Sequence, residues 1–284
     1  MDPLLPLVAD VNGLAVEYVR AGEGPTLVLL HGYPQTWYEY RAVVPALAEH
    51  FTVIVPALRG AGGSGAPDGG YDKKTMARDL RGLLGGLGLD RRINLVGHDI
   101  GSMVAYAYAA QYRDDVARLV LSEAPIPDAS LYQFPTLTPG GPGLWNIGFF
   151  NLANGLPEAV IQGREAVWVE KFIGSMAVQR ERAVAPDAVR AYARALADPD
   201  HLRGSLAWFR ALAQDVADNH GFAERPLPMP VLAVGAAASL GEVVADQARR
   251  YATDVRREVI ADSGHWIFEE HPEEMTRLLL DFLH

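Results

Sequence analysis

Continuous apolar runs and amphipathic stretches alternate along much of this chain. The runs that predict strands of one sheet are Thr26–Leu30, Phe51–Val55, Val116–Ser122, Val231–Gly235 and Arg257–Ile260. Near the start, Leu7–Asp10 and Leu14–Val19 flank Asn12-Gly13. Two strand-like segments around an Asn-Gly pair predict a hairpin.

Helical spacing of apolar positions appears between these runs. It predicts helices over Trp37–Leu47 and Lys74–Leu87, and a closing helix over Pro272–Phe282 that has proline at its first position. Strands that alternate with helices pair in parallel, because the chain must cross back before the next strand begins. The predicted fold class is therefore α/β, with a mostly parallel central sheet flanked by helices.

The alternation stops after Glu123. Prolines at 125, 127, 135, 139 and 142 interrupt a loop rich in glycine and aromatic residues, and no strand pattern returns before Val231. Helical spacing there predicts helices over Pro157–Phe172, Pro186–Leu196 and Asp200–Ala217. We interpret residues 124–222 as a helical cap inserted into a sheet domain made of residues 1–123 and 223–284.

Composition narrows the function classes. The chain has 284 residues, 49% hydrophobic, and a net charge of -10 without a cluster of Lys or Arg, so neither nucleic acid nor an anionic membrane is an expected partner. The absence of cysteine excludes disulfides, thiol catalysis and thiolate metal sites. Met1–Leu4 shows no basic region leading into an apolar stretch, and we expect a cytoplasmic protein without a signal peptide.

The candidate nucleophile is Asp99. Leu95 and Val96 lead into Gly97-His98-Asp99-Ile100-Gly101, an order that predicts a strand, a sharp turn and a helix. Glycine on both flanks suits a turn that leaves no room for side chains. A carboxylate that attacks a saturated electrophilic carbon forms an ordinary ester, which water can cleave. Epoxides and alkyl halides supply such carbons.

The remaining catalytic groups are expected at the same edge of the sheet, where parallel strands end. His265 follows the last predicted strand and is the candidate base. The loop after Val231–Gly235 has no carboxylate before Glu242, so Glu123 at the end of the preceding strand is the favoured acid. Asp262 is the alternative acid, although it lies close to His265 in sequence.

An anionic intermediate on Asp99 needs backbone N–H groups that face it. The N–H of Ile100 directly follows the nucleophile, and Tyr33 lies in the loop after the first parallel strand. Both are the predicted oxyanion-hole donors.

Three segments together carry a family resemblance: His31–Glu39, Gly97–Gly101 and Glu123–Asp128. They resemble epoxide hydrolases of the α/β-hydrolase fold, in particular the Cif-type bacterial enzymes, and the similarity spans nearly the whole chain. The resemblance implies that Asp99 is alkylated, that His265 with Glu123 activates water, and that cap residues hold the epoxide oxygen.

The cap departs from that family. Its oxygen-binding histidine and tyrosine correspond to Asn146, after Trp145, and Phe209, after Trp208. We expect Trp145, Asn146, Trp208 and Phe209 to contact substrate, with the amide and the indole N–H groups as hydrogen-bond donors. These groups do not give up a proton.

An opening epoxide becomes an alkoxide, which usually requires a proton. Tyr132 and Tyr192 are the remaining cap tyrosines that could provide one. Tyr132 is included among the expected substrate-binding residues, although packing explains either tyrosine equally well.

The function favoured by these residues is hydrolysis of a small apolar epoxide to a vicinal diol, with no metal or organic cofactor. A haloalkane or haloacid dehalogenase is an alternative, since a halide leaves without a proton. Against it, Ile100 and Tyr33 replace residues typical of those enzymes. A biosynthetic epoxide-opening enzyme is a further alternative. The presence of Asp99, Glu123 and His265 disfavours a non-enzymatic binding protein. Whether the chain forms a homodimer is left open by the sequence.

Overall fold

The computed structural model describes residues 4–139 and 141–284, and for residues 141 and 142 only the backbone. Residues 1–3, which entered the prediction about a signal peptide, lie outside the described residues. The strands, numbered in chain order, are β1 Leu7–Val11, β2 Leu14–Ala21, β3 Thr26–Leu30, β4 Thr52–Pro56, β5 Ile93–His98, β6 Val116–Ser122, β7 Leu137–Thr138, β8 Gly141–Pro142, β9 Val231–Ala236 and β10 Val255–Ile260.

The helices fall into a group around the sheet and a group between β6 and β9. Around the sheet are α1 Val44–Leu47, α2 Lys73–Leu87, α3 Ile100–Gln111, α11 Val243–Ala248, α12 Ile267–Glu270 and α13 Pro272–Leu283. Between β6 and β9 are α4 Trp145–Phe150, α5 Leu156–Ile161, α6 Glu165–Ser175, α7 Arg180–Ala183, α8 Pro186–Leu196, α9 Pro199–Arg210 and α10 Leu212–Phe222. In the described part of the chain, none is long and apolar enough to cross a membrane.

The central sheet has the strand order β1-β2-β4-β3-β5-β6-β9-β10. The first hairpin and the β2–β4 pair are antiparallel, and every pair from β4 to β10 is parallel. The predicted α/β fold and the predicted hairpin are therefore confirmed. Since β3, β5, β6 and β9 run in parallel, their carboxyl ends meet at one edge of the sheet.

Side chains on both faces of the sheet are buried, which explains the continuous apolar runs. Along β3, Val28 packs in the layer that includes α2 and α3, while its neighbour Leu27 packs in the opposite layer with α1 and α13. Leu95 and Val96 alternate in the same way along β5. A strand with two buried faces needs no polar side.

Three predicted helices are wrong in their extent. Trp37–Leu47 is a 3-10 turn over Trp37–Tyr40 followed by the short α1. Pro157–Phe172 is divided into α5 and α6 around Gly163, which has a φ of 78°. Asp200–Ala217 is divided into α9 and α10 at Ala211. Short breaks of this kind leave the apolar spacing almost unchanged, so periodicity alone does not reveal them.

The helices between β6 and β9, with the small ribbon β7–β8, form the segment that the sequence predicts as a cap. A buried ion pair ties it to α2: Lys73 Nζ lies 2.8 Å from Asp215 Oδ2 on α10, with both side chains at most 2% exposed. On the other side, Tyr192 of α8 donates a hydrogen bond to Glu269, which also binds Arg41 at 2.8 Å. The domain boundaries at 124 and 222 stay a prediction.

Candidate active site

Asp99 lies between the end of β5 and the start of α3, with φ 51° and ψ -124°. A Cβ on Gly101 would lie 2.0 Å from the carbonyl oxygen of Leu30, and a Cβ on Gly97 would lie 2.3 Å from that of Gly101. Both glycines are therefore required by close backbone approach. The predicted strand, sharp turn and helix are confirmed, and the turn presents the Asp99 carboxylate above the sheet edge.

The Asp99 carboxylate has two distinct oxygens. Oδ1 accepts a hydrogen bond of 2.9 Å from the backbone N–H of Tyr33, and Oδ2 lies 3.5 Å from His265 Nε2. Burial would raise the pKa of Asp99, but the hydrogen bond and charge of His265 outweigh it and the net pKa is lowered. The carboxylate is therefore ionised at neutral pH.

His265 lies in the loop between β10 and α12, beside the ends of β6 and β9. Its Nδ1 is 3.0 Å from Glu123 Oε2, and the other Glu123 oxygen accepts a 2.7 Å hydrogen bond from Ala236 N. Burial lowers the pKa of His265, but hydrogen bonds and charges of Asp99 and Glu123 raise it to about 10. The structure brings these three side chains together, in the order Asp99, His265, Glu123.

Asp262, the alternative acid, does not reach the His265 ring. It is exposed, and its carboxylate accepts a 2.6 Å hydrogen bond from Gln179 Nε2. Glu123 already occupies the ring nitrogen that an acid would hold. The arrangement therefore favours Glu123 as the partner of His265.

A second buried pair, which sequence reasoning missed, lies behind His265. His98 Nε2 donates a 2.8 Å hydrogen bond to the carbonyl oxygen of His265, and His98 Nδ1 is 3.0 Å from Glu39 Oε1. Burial lowers the pKa of His98, but Glu39 outweighs burial and the net pKa is raised. The pair anchors the backbone of the loop that carries His265.

A cavity opens above these groups, between the sheet edge and the cap helices. Its apolar lining consists of Met103, Pro125, Leu144, Ile147, Phe172, Met176, Phe209, Leu212 and Leu240. The polar residues in its described lining are Tyr33, Asp99, Glu123, Asn146, Ser239 and His265. A mostly apolar cleft with a few convergent polar groups is typical of a small-molecule site.

The predicted substrate-binding residues divide into two groups. Asn146 and Phe209 line the cavity, and their contact with a substrate stays a prediction. Trp145 and Tyr132 lie outside its described lining and are 37% and 67% exposed. Trp208 is buried, and its indole N–H donates a 2.8 Å hydrogen bond to the Arg59 carbonyl. The prediction that Trp208 donates to substrate is therefore wrong, because its one donor is already engaged.

Tyr192 is also unavailable, since its hydroxyl donates to Glu269 at the contact between cap and core. By contrast, Ser239 and the Tyr33 side chain also line the cavity, although sequence reasoning predicts a role only for the Tyr33 backbone. Ser239 lies in the loop after β9, which contains no carboxylate before Glu242. A search for hydroxyl groups in that loop would have found it.

Comparison with known proteins agrees with this architecture. Residues 25–272 match the model of the alpha/beta hydrolase fold family. The chain belongs to the α/β-hydrolase family. As an α/β-hydrolase it is similar to the soluble epoxide hydrolase of a Corynebacterium species, with 34% identity over 96% of this chain and 95% of the relative.

Two further relatives of this α/β-hydrolase bear on the resemblance. The fluoroacetate dehalogenase of a Burkholderia species is 30% identical over 97% of this chain and 92% of the relative. The Cif epoxide hydrolase from Acinetobacter nosocomialis superposes with a TM-score of 0.94 over 100% of this chain and 90% of that chain, at 24% identity, which shows the shared fold. The resemblance inferred from the motifs is confirmed: this is an enzyme of the α/β-hydrolase superfamily with epoxide hydrolases among its relatives.

Proposed function

We propose that this α/β-hydrolase opens epoxides through a covalent ester on Asp99 and releases vicinal diols. The observation that carries the proposal is the arrangement of His265 between Asp99 and Glu123, at 3.5 Å and 3.0 Å, on the floor of an apolar cavity. The 34% identical soluble epoxide hydrolase supports the same activity. The apolar lining favours an apolar substrate.

In the first step, Asp99 Oδ2 attacks an epoxide carbon and the carbon–oxygen bond of the ring breaks. Oδ2 is the attacking atom because Oδ1 is held by the Tyr33 N–H. The products are an alkyl ester on Asp99 and an alkoxide, which gains a proton to become an alcohol. The Asn146 amide, on the cap side of the cavity, is the proposed hydrogen-bond donor to that oxygen.

In the second step, neutral His265 takes a proton from water, and the hydroxide attacks the ester carbonyl carbon of Asp99. Esterification has removed the charge of Asp99, one of the groups that raise the pKa of His265, so the imidazole gives up its own proton before this step. Glu123 stabilises the imidazolium that forms again. The negative charge of the resulting tetrahedral intermediate lies on Oδ1, where the N–H groups of Tyr33 and Ile100 stabilise it.

The tetrahedral intermediate collapses by breaking the bond between the acyl carbon and the alkyl oxygen. The diol leaves with the proton from His265, and the Asp99 carboxylic acid then returns its proton to His265. This restores the ion pair between Asp99 and His265.

The decisive experiment separates the two steps. His265→Gln cannot activate water, so it should accumulate the ester when it is mixed with terminal epoxides. Intact-mass measurement should show a gain equal to the whole epoxide, located on the peptide that contains Asp99. No adduct with any epoxide, from a variant with a wild-type melting temperature, would overturn the proposed function.

Dehalogenation is the second candidate. The relative that is a fluoroacetate dehalogenase favours it, as does Asn146, a neutral donor that suits a departing halide. Against a haloacid substrate, the described lining of the cavity contains no Arg or Lys to bind a carboxylate. The same His265→Gln protein distinguishes the candidates, because a bromoalkane would add its alkyl group without the halogen.

A further inference from the structure

We propose that the phenol of Tyr33 is the acid that protonates the epoxide oxygen. This inference rests on the proposed function and supplies the proton that the opening ring requires. Tyr33 thus acts twice, through its backbone N–H on Asp99 and through its side chain on the leaving oxygen.

The position of the acid follows from the direction of attack. Displacement at carbon requires Asp99 to approach opposite the breaking carbon–oxygen bond, so the ring oxygen lies across the substrate from Asp99. His265 lies against Asp99 Oδ2 and is therefore on the attacking side. The acid has to come from the part of the cavity nearer the cap.

Tyr33 extends from the Asp99 side of the cavity to the cap side. Its backbone N–H is 2.9 Å from Asp99 Oδ1, while its hydroxyl is 2.9 Å from Trp168 Nε1 on cap helix α6. Its ring packs against Phe172 and Phe209 with centroids 5.7 Å and 5.5 Å away, and both of these phenylalanines line the cavity. The phenol therefore belongs to the aromatic wall on the cap side.

The Tyr33 hydroxyl accepts a hydrogen bond but has no acceptor for its own proton among the described residues. The Tyr33 oxygen accepts the Trp168 N–H, but within residues 4–139 and 141–284 no acceptor is found for its own proton. The residue is only 2% exposed. Buried hydroxyl groups normally have a partner for each donor, so a substrate oxygen is the acceptor that completes the arrangement.

Acidity separates Tyr33 from the other polar groups in the lining. Neither the amide of Asn146 nor the aliphatic hydroxyl of Ser239 can protonate an alkoxide as readily as a phenol can. Burial raises the pKa of Tyr33, and the Trp168 N–H opposes that rise. A phenol, with an ordinary pKa near 10, is a much stronger acid than the aliphatic alcohol that the opened ring becomes.

The proton balance closes over the cycle. The Tyr33 oxygen–hydrogen bond breaks as the alcohol forms, and the Trp168 N–H stabilises the phenolate. The proton that His265 gives up when Asp99 becomes an ester then restores the phenol. No other reactant than epoxide and water is consumed.

The test is the rate of ester formation in the His265→Gln background, with two epoxides of similar size. Propylene oxide gives a strongly basic alkoxide, whereas trifluoromethyl oxirane gives a weakly basic one that needs less help from an acid. Tyr33→Phe should slow alkylation by propylene oxide by about 100-fold or more, the range of general acid catalysis, and alkylation by trifluoromethyl oxirane by less than about 10-fold.

Two variants complete the comparison. Trp168→Phe should slow alkylation by propylene oxide by a smaller factor, because it removes only the N–H that stabilises the phenolate. Tyr192→Phe removes a buried phenol outside the cavity and should change neither rate.

Equal losses with both epoxides would show that Tyr33 merely shapes the site, and no loss would show that its hydroxyl is dispensable. Either result overturns the inference while the Asp99 adduct still supports the proposed function. Failure of the parent His265→Gln protein to form any adduct would instead overturn the proposed function, and this inference with it.

Discussion

The two walls of the cavity are built in different ways. The wall on the sheet side carries Asp99 and Glu123, each at the end of a parallel strand, and His265 after the last one, with carboxylate oxygens held by backbone N–H groups. The wall on the cap side is mostly apolar, and its lining includes the Asn146 amide, the Tyr33 phenol and Phe209. In the proposed mechanism, the strand ends hold the nucleophile and the pair that activates water, while the cap side holds the groups that contact the substrate and its ring oxygen.

The backbone conformation of the lining residues also differs between the two walls of the cavity. Asp99 and Glu123 both have positive φ, at 51° and 49°, a conformation that costs energy for residues other than glycine. The surrounding sheet maintains both, and each conformation aims a carboxylate at His265. By contrast, the cap-side lining residues Leu144, Asn146 and Ile147 lie at the start of the short helix α4 and not at the end of a strand of the central sheet.

The largest expected effect comes from removing the nucleophile. Asp99→Ala should reduce diol formation by at least about 10⁴-fold, since loss of a covalent nucleophile removes the whole two-step path. The measurement is the rate of diol release with an epoxide that the wild type turns over. Asp262→Ala, which removes an exposed carboxylate near His265, is the matched control and should retain activity. Residual turnover by Asp99→Ala within 100-fold of wild type would contradict the mechanism.

An intermediate effect concerns the charges of the sheet-side wall. The pKa of His265 is raised to about 10 in the folded protein, above its unfolded value near 6.5. Protonation therefore stabilises the fold: this contribution is complete below pH 6.5 and is lost as the pH rises through about 10. Urea unfolding of wild type and His265→Gln should show a difference in stability that shrinks over this interval. A difference that is constant from pH 6 to 10 would contradict the ion pair.

The smallest effect is expected for Asn146, on the cap side. Asn146→Leu keeps the size of the side chain but removes a neutral hydrogen bond, so kcat/KM for an epoxide should fall by about 10-fold. Asn146→Gln retains the amide and serves as the control. A loss above 1,000-fold would make Asn146 as important as the sheet-side groups, and the contrast between the walls would disappear.

The sequence was informative where function depends on strand ends. Asp99, Glu123 and His265 could be placed because each follows a strand, and parallel strands deliver their ends to one edge. The extent of the sheet was predictable for the same reason, since doubly buried strands have no polar face.

Contacts between distant segments could not be predicted in this way. Trp208 has the helical position of a cavity residue, but its N–H is directed to Arg59, on the loop after β4. Glu39 meets His98, and Tyr33 meets Trp168, only because the three-dimensional fold brings them together. Local periodicity reports which face is buried, not which neighbour a polar atom will find.

The ion pair of Lys73 and Asp215 has a consequence for how the protein unfolds. Both side chains are withdrawn from water where α2 meets α10, and Lys73 also donates hydrogen bonds to Asp215 and to the Trp208 carbonyl. Separating the cap helices would break these contacts, and removing one partner alone, as in Asp215→Ala, would leave an uncompensated buried charge at a cost of roughly 3–5 kcal/mol. We therefore expect the cap helices and the sheet domain to unfold together, and local opening to begin in segments that carry no such contact.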